Sequence, residues 1–237
     1  MDVAHAGAAD YTGHAAADTA ATDTAAPDTV IIDPTLSDDH SLSILTVNGR
    51  RIITLTPQRA EQLAIAPGAT VTAEQLASIT LNDPDHVFYL PLDEQAMLTA
   101  EATPSTTRQL GADDADAFER FAAEAPDDDL DEAFVELDHW LVFGTFENGD
   151  RLVAAASMYP WALSTGSSAF ADLGVITLPE FRGQGKARAT VRAMSARALE
   201  LGYEPQYRCQ LDNAASIALA RKAGFALFGD WQVIVEG

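Results

Sequence analysis

The stretch Leu173-Gly-Val-Ile-Thr-Leu-Pro-Glu-Phe-Arg-Gly-Gln-Gly-Lys-Ala187 decides the fold. It reads as a β-prone run, a break at Pro179, a glycine-bearing loop and the start of a helix. The first turn of a helix presents unpaired N–H groups and the positive end of the helix dipole. A glycine loop placed there can therefore wrap a phosphate with main chain alone. Gly183 and Gly185 remove the side chains that would block that approach. The helix is specified by Ala187, Val191, Met194, Ala198 and Leu201, whose alternating spacings of four and three form one apolar stripe. Gly202 is placed to end it, with Pro205 beyond. Lys186, Arg188, Arg192 and Arg197 occupy its other face, and with Arg182 they make five positive residues between Phe181 and Leu199 without one acid.

That basic run is out of keeping with the rest of the chain. The 237 residues carry 36 acids against 14 lysines and arginines, a formal charge of -22, and only Lys186 and Lys222 are lysines. Such a field repels nucleic acid and anionic lipid and draws in cations, so neither nucleic acid nor a membrane is an expected partner. Enrichment in Asp, Ala and Arg also fits a compositional bias of the source. Against this background, positive charge gathered at one helix N-terminus suits a polyanionic ligand. With 47% hydrophobic and 21% charged positions the chain has the make-up of a soluble globular protein, as one large or two small domains. Cys209 is the only cysteine, so no internal disulfide or zinc cluster is expected and a cytoplasmic setting is the default. No basic leader and no run of about 18 apolar residues predicts a secretion signal or a membrane span.

The rest of the chain divides around this segment. Met1 to about His40 carries eight aspartates and no lysine or arginine, lacks apolar periodicity, and is expected to be a disordered acidic tail. Ser43 to Val47 and Arg51 to Leu55 predict a hairpin turning at Asn48-Gly49. Thr56 with Pro57, and Thr72 with Gln75, predict the caps of two short helices. Val87 to Leu90 reads as a strand and Asp93 to Ala102 as a helix, closing a small α/β unit over residues 41–103 in which no chemistry is evident. Thr103-Pro104-Ser105 breaks the pattern and sets the expected boundary. The second unit, 104–237, reads as strand (Thr107–Leu110), helix (Asp113–Ala125), helix (Asp129–Leu137) and then three strands, His139–Phe146, Arg151–Tyr159 and Ala169–Leu178. Beyond the glycine loop and its helix come a strand (Gln206–Gln210), a helix (Ala214–Ala223) and a last strand (Gly229–Val235). The expectation is an α/β fold, a mixed sheet with helices on both faces.

Two other glycine-loop readings fail on composition. An NTPase phosphate loop needs glycine where Glu180 stands and Ser or Thr where Ala187 stands, and a dinucleotide fingerprint needs its third glycine where Arg188 stands. Arg182-x-x-Gly185-x-Ala187, preceded by Val175-Ile-Thr-Leu-Pro179-Glu-Phe, instead resembles the acetyl-CoA signature of the GNAT superfamily of N-acetyltransferases. A second block, Asn213-Ala-Ala-Ser216-Ile-Ala-Leu-Ala-Arg-Lys-Ala-Gly224-Phe225, resembles the next conserved segment of that superfamily and lies at the expected distance. The resemblance is detailed from Val175 to Phe225, extends by element order back to about Ser105, and does not cover the first hundred residues.

The resemblance implies a GNAT-like fold and an acetyl-CoA-dependent N-acetyltransferase without a metal, acting on the primary amine of a small molecule or a peptide. By that resemblance Val175, Ile176 and Thr177 face the pantetheine arm, and Arg182, Gly183, Gln184, Gly185, Lys186, Ala187 and Arg188 hold the phosphates. Asn213 lies near the thioester end, where it is also placed to cap its own helix. The family splays its cofactor strand from the next, and Gly174 is placed to supply that irregularity. Acyl transfer from a thioester to an amine needs a base for the ammonium and a proton for the departing thiolate. Asp172 is the candidate base. Many members carry the thiolate's proton donor as a tyrosine directly after a leucine, but Leu219 here is followed by Ala220. Tyr207, Cys209 and Ser216 are the alternative donors. The departure keeps open a second function, a CoA-binding sensor or scaffold of the same fold. Trp140, Phe143, Phe225 and Trp231 read as core aromatics, and Trp161 as a wall of the acceptor pocket.

Overall fold

A computed structural model describes residues 28–37, 40–161 and 169–235, with only the backbone given for Trp161. The tail up to residue 27 lies outside the described residues, as does the side chain of Trp161. Order begins earlier than the sequence suggests. Asp28 is buried, accepts hydrogen bonds from Arg51 (Nε, 2.9 Å) and from the Val71 N–H (2.7 Å), and leads into β1 (Thr29–Ile32), which pairs parallel with β3. The run Thr29-Val-Ile-Ile is too short to register as a pattern inside an aspartate-rich segment, yet four β-branched residues suffice for an edge strand.

The local signals act where their chemistry requires. β2 (Leu42–Val47) and β3 (Arg50–Leu55) turn through Asn48 and Gly49, both at positive φ (51° and 75°), the geometry that closes a two-residue hairpin. Thr56 caps α1 (Pro57–Gln62), and Thr72 with Gln75 forms a reciprocal capping box on α2 (Ala73–Leu76). β4 (Asp85–Tyr89) and α3 (Leu92–Ala100) complete this part. Downstream follow β5 (Thr107–Gln109), α4 (Ala115–Glu124), α5 (Asp127–Ala133), β6 (Leu141–Glu147), β7 (Arg151–Trp161) and β8 (Ala169–Thr177). The chain ends with α6 (Lys186–Glu200), β9 (Tyr203–Gln210), α7 (Ala214–Ala223) and β10 (Ala226–Val233).

The boundary expected at Thr103 does not divide the described residues into two sheets. Among the described residues, ten strands form one sheet in the order β1-β3-β2-β10-β4-β9-β8-β7-β6-β5. β4 lies between β9 and β10, antiparallel to both, so the early part of the chain supplies an inner strand of the later part. A single core joins Phe88, Leu90 and Leu98 to Leu173, Met194, Tyr207 and Phe225 on the face covered by α3, α6 and α7. Buried Arg192 ties that junction by donating to Glu101 and to the Ala223 carbonyl (2.7 Å). A break in the sequence pattern marks a turn, and only strand order tells whether it also ends a core. The opposite face of the sheet is covered by α4 and α5 around Phe121, Val142, Phe146 and Ile176. No helix among the described residues is long and apolar enough to cross a membrane.

Candidate active site

The sheet opens at one place. β8 pairs parallel with β9 from Ala169↔Tyr203 to Leu173↔Tyr207 and no further, whereas its other edge stays paired with β7 as far as Thr177↔Ala154. The edge of Gly174–Thr177 that faces β9 is thus left without a neighbouring strand. A cleft of about 550 Å³ fills the gap, running from the α6 N-terminus to the β4 end of the sheet. Gly174 stands at the opening for a reason other than the expected irregularity. Its pairing with Ser157 is regular, but a Cβ there would lie 1.8 Å from the Ala133 carbonyl oxygen, so the glycine lets the end of α5 close over β8.

One end of the cleft is made of main chain. Gly183 and Gly185 sit at φ +75° and +80° with open space where a Cβ would be, so they serve the loop's path and its accessibility together. Gly185 is the N-cap of α6 and brings no capping side chain. Arg182, Lys186, Arg188 and Lys222 line this end. Gln184 turns its side chain onto the Glu180 carbonyl (2.8 Å) and offers only its amide. The basic stripe read from the sequence is less free than its charges suggest. Arg182 pairs with Asp129, Lys186 with Glu147 and Arg197 with Glu200, while Arg188 donates to the Lys222 carbonyl (2.7 Å) and Arg192 is buried. Two of these acids, Asp129 and Glu147, are distant in sequence and fold back onto the stripe.

The fit to a CoA thioester rests on three features: the edge of Val175, Ile176 and Thr177 left without a neighbouring strand, where only the Thr177 carbonyl is engaged, by Arg182 Nε (3.1 Å), the uncapped helix start, and a buried Thr177 Oγ1 that has no partner. Val175 and Thr177 alternate onto the α6 face of the sheet and Ile176 onto the α5 face, so the edge they offer is main chain. Asn213 accepts from the Ser216 N–H (3.0 Å), the helix-capping geometry, and both residues line the cleft.

Tyr207, at the last registered pair, and Cys209, two residues on, share the α6 face as strand alternation requires. Tyr207 is 2% exposed, and burial pushes its phenol up to about 12, with Ser216 working against the shift. Burial, reinforced by the charge of Asp85, pushes the Cys209 thiol up to about 11. Both remain protonated at neutral pH. Ala220 is fully buried and packs in the core with Tyr207 and Phe225, so no hydroxyl comes from that position.

On the α5 face, at the other end, a polar row crosses five strands. Tyr159 pairs with Asp172, Asp172 is diagonal to Arg208, Arg208 is diagonal to Asp85, and Asp85 pairs with Trp231. Asp172 is 3% exposed, and its Oδ2 accepts from Arg208 Nε (2.7 Å) and the Tyr159 hydroxyl (3.2 Å). Its Oδ1 is buried without a partner. The carboxylate expected to act alone as a base is therefore half occupied by a guanidinium and a phenol. Burial opposes the charge of Arg208, and the Asp172 carboxylate more than offsets it. The guanidinium also lies 4.9 Å from the Trp231 ring. Phe134, His139 and Tyr159 stack on one another next to the row, with ring centroids 5.0 to 6.1 Å apart. Asp85, Tyr159, Arg208, Phe134, His139 and Trp231 carry no local motif. The one sequence signal was an arginine alternating with Tyr207 and Cys209 on an inner strand, since a charge there needs a buried partner.

The family model described as "Acetyltransferase (GNAT) family" matches residues 108–225. Residues 108–225 are thus a GNAT acetyltransferase-family domain. A Bacillus subtilis (strain 168) relative, the uncharacterized N-acetyltransferase YdfB, is 34% identical over 67 residues. That match spans 28% of this chain and 26% of the relative. Among solved structures, a GNAT-family acetyltransferase from Colwellia psychrerythraea superposes with a TM-score of 0.48 at 19% identity, over 78% of this chain and 76% of that one. A putative GNAT acetyltransferase from Novosphingobium aromaticivorans gives 0.46 at 21% identity, over 66% and 65%. The match of the GNAT family model takes in the loop, α6, the polar row's Tyr159, Asp172 and Arg208, and all of α7, but begins after β4 and so leaves Asp85 outside it.

Proposed function

We propose that the chain is an acetyl-CoA-dependent N-acetyltransferase that moves an acetyl group to a primary amine of a small molecule or a peptide. The observation that carries this reading is the opening between β8 and β9, which joins a cationic main-chain cradle to an anionic end. In it the strandless edge of Val175, Ile176 and Thr177 bonds the pantetheine arm, and the amides from Gly183 to Arg188 hold the pyrophosphate with Arg182 and Lys186. Acetyl-CoA enters as a substrate and supplies the activated acyl group. Tyr207, protonated and directed to Ser216 at the point where the strands part, donates to the leaving sulfur, and Cys209 is the alternative donor. Asp172 holds Arg208 and Tyr159 in place on the acceptor side.

Release of free thiol from acetyl-CoA across a panel of primary amines, with the acetyl-CoA-induced rise in melting temperature measured in parallel, tests the reading. Amine-dependent thiol release with a melting shift supports it. A shift without thiol release favours the sensor, for which buried Ala220 in place of a hydroxyl-bearing residue is the specific observation. Neither signal would refute both.

A further inference from the structure

We infer that Asp85, contributed by β4 from outside the matched acetyltransferase segment, is the base that takes the proton from the acceptor ammonium. The inference rests on the N-acetyltransferase reading and adds to it a residue from the early part of the chain. Four observations converge on Asp85. It lines the same cleft as Tyr207, Cys209 and Asp172. It stands on the α5 face of the sheet, at the end of a row in which Asp172 is already held by Arg208 and Tyr159. Its own carboxylate makes no hydrogen bond or ion pair among the described residues, so both oxygens are open to a ligand. And the insertion of β4 between β9 and β10 puts it there at all.

The charges facing Asp85 set its basicity. Arg208 on β9 and His86 on its own strand favour the carboxylate, and Asp172 on β8 disfavours it. His86 is itself engaged by Asp230 of β10 (2.7 Å), Cys209 of β9 feels the charge of Asp85, and Tyr159 of β7 is engaged by Asp172. Burial, with the repulsion of Asp172, outweighs Arg208 and His86 and holds the Asp85 carboxyl above the usual carboxylate range. That direction makes it a stronger base than an exposed aspartate. A row carrying two carboxylates against one guanidinium also draws a cation to this end, as the acceptor ammonium requires.

The protons balance as follows. The ammonium gives one proton to Asp85, which passes it to solvent. The neutral nitrogen then forms the C–N bond at the thioester carbon as the C–S bond breaks. Tyr207 gives its proton to the departing thiolate, and the second nitrogen proton, lost as the amide forms, returns through solvent to the Tyr207 phenolate, so amide, free thiol and one released proton result.

The test uses the full chain with acetyl-CoA and a panel of spermidine, tyramine, glycinamide and a lysine-containing peptide. Asp85→Asn should lower kcat/KM by about a hundredfold to ten-thousandfold and remove the acid limb of its pH profile, while the melting shift with acetyl-CoA persists. Asp85→Glu should restore part of the rate and the limb. Independently of turnover, carboxyl 13C titration should place Asp85 above the exposed aspartates, and Asp172→Asn should bring it down. An Asp85→Asn variant within about threefold of the unmutated enzyme and with the same acid limb, or an Asp85 that titrates with the exposed aspartates, overturns the inference. If the unmutated protein releases no thiol with any amine, the N-acetyltransferase reading fails, and the titration still decides whether Asp85 is the perturbed carboxyl.

Discussion

The two ends of the cleft are built from different materials. At the α6 end the groups that meet a ligand are amides of consecutive residues, Gly183 to Arg188, backed by the helix dipole and by cations that already have carboxylate or carbonyl partners. At the β4 end they are side chains from five strands, brought together by register alone. A main-chain cradle tolerates change in most of its side chains but not in its glycines. A side-chain row fails with the loss of any member that holds another. The first kind of site is suited to a ligand with invariant phosphates, the second to an acceptor that must be chosen and deprotonated.

Substitutions that act on one end only would sharpen this contrast. The largest effect is expected from Gly185→Glu, which places a side chain and a negative charge at φ +80° in the loop proposed to hold the phosphates. It should abolish the acetyl-CoA-induced melting shift without unfolding the apo-protein, and unchanged affinity by calorimetry would remove the α6 end from the site. Tyr207→Phe should lower kcat by roughly ten to a thousandfold with acetyl-CoA binding near that of the unmutated protein. Full activity in both that variant and Cys209→Ala would transfer the proton donation to solvent. Gly174→Ala tests the joint between the ends. Because its Cβ would strike the Ala133 carbonyl, the end of α5 must move, and stability measured by denaturant should drop by about 1–3 kcal/mol. The smallest effect is expected from Asp129→Ala, which removes the carboxylate partner of the half-exposed Arg182 and leaves its bond to the Thr177 carbonyl. Exposed pairs contribute about 0.2–1 kcal/mol, so acetyl-CoA affinity should tighten by no more than about fivefold, and weaker binding would mean that Asp129 supports the cradle instead of competing with it.

The cradle and its surroundings were legible because their causes are local. The Asn48-Gly49 turn, the Thr56 and Thr72 caps, the Asn213 cap over α7 and the Gly202 stop each act within a few residues, and all are found as read. Even so, the partners of the basic stripe were not legible. Asp129 and Glu147 lie 53 and 39 residues from Arg182 and Lys186, and nothing near the loop announces them. Trp231, read as a core aromatic, reaches Arg208 only because β4 alone separates its strand, β10, from β9 in the sheet.

By itself, the sequence determined a mixed α/β fold, the strand, loop and helix that make the cradle, and the family to which residues 108–225 belong. Tertiary structure alone decided that β1 begins at Thr29, that the break at Thr103 does not end a core, and that β4 enters the sheet between β9 and β10. It also decided that Asp172 meets Arg208 while Asp85 faces the cleft open. The reason is range. Caps, turns and helix dipoles are fixed by neighbours along the chain, whereas strand order and register are fixed by which apolar faces bury one another, and only register sets side chains from five strands in one row.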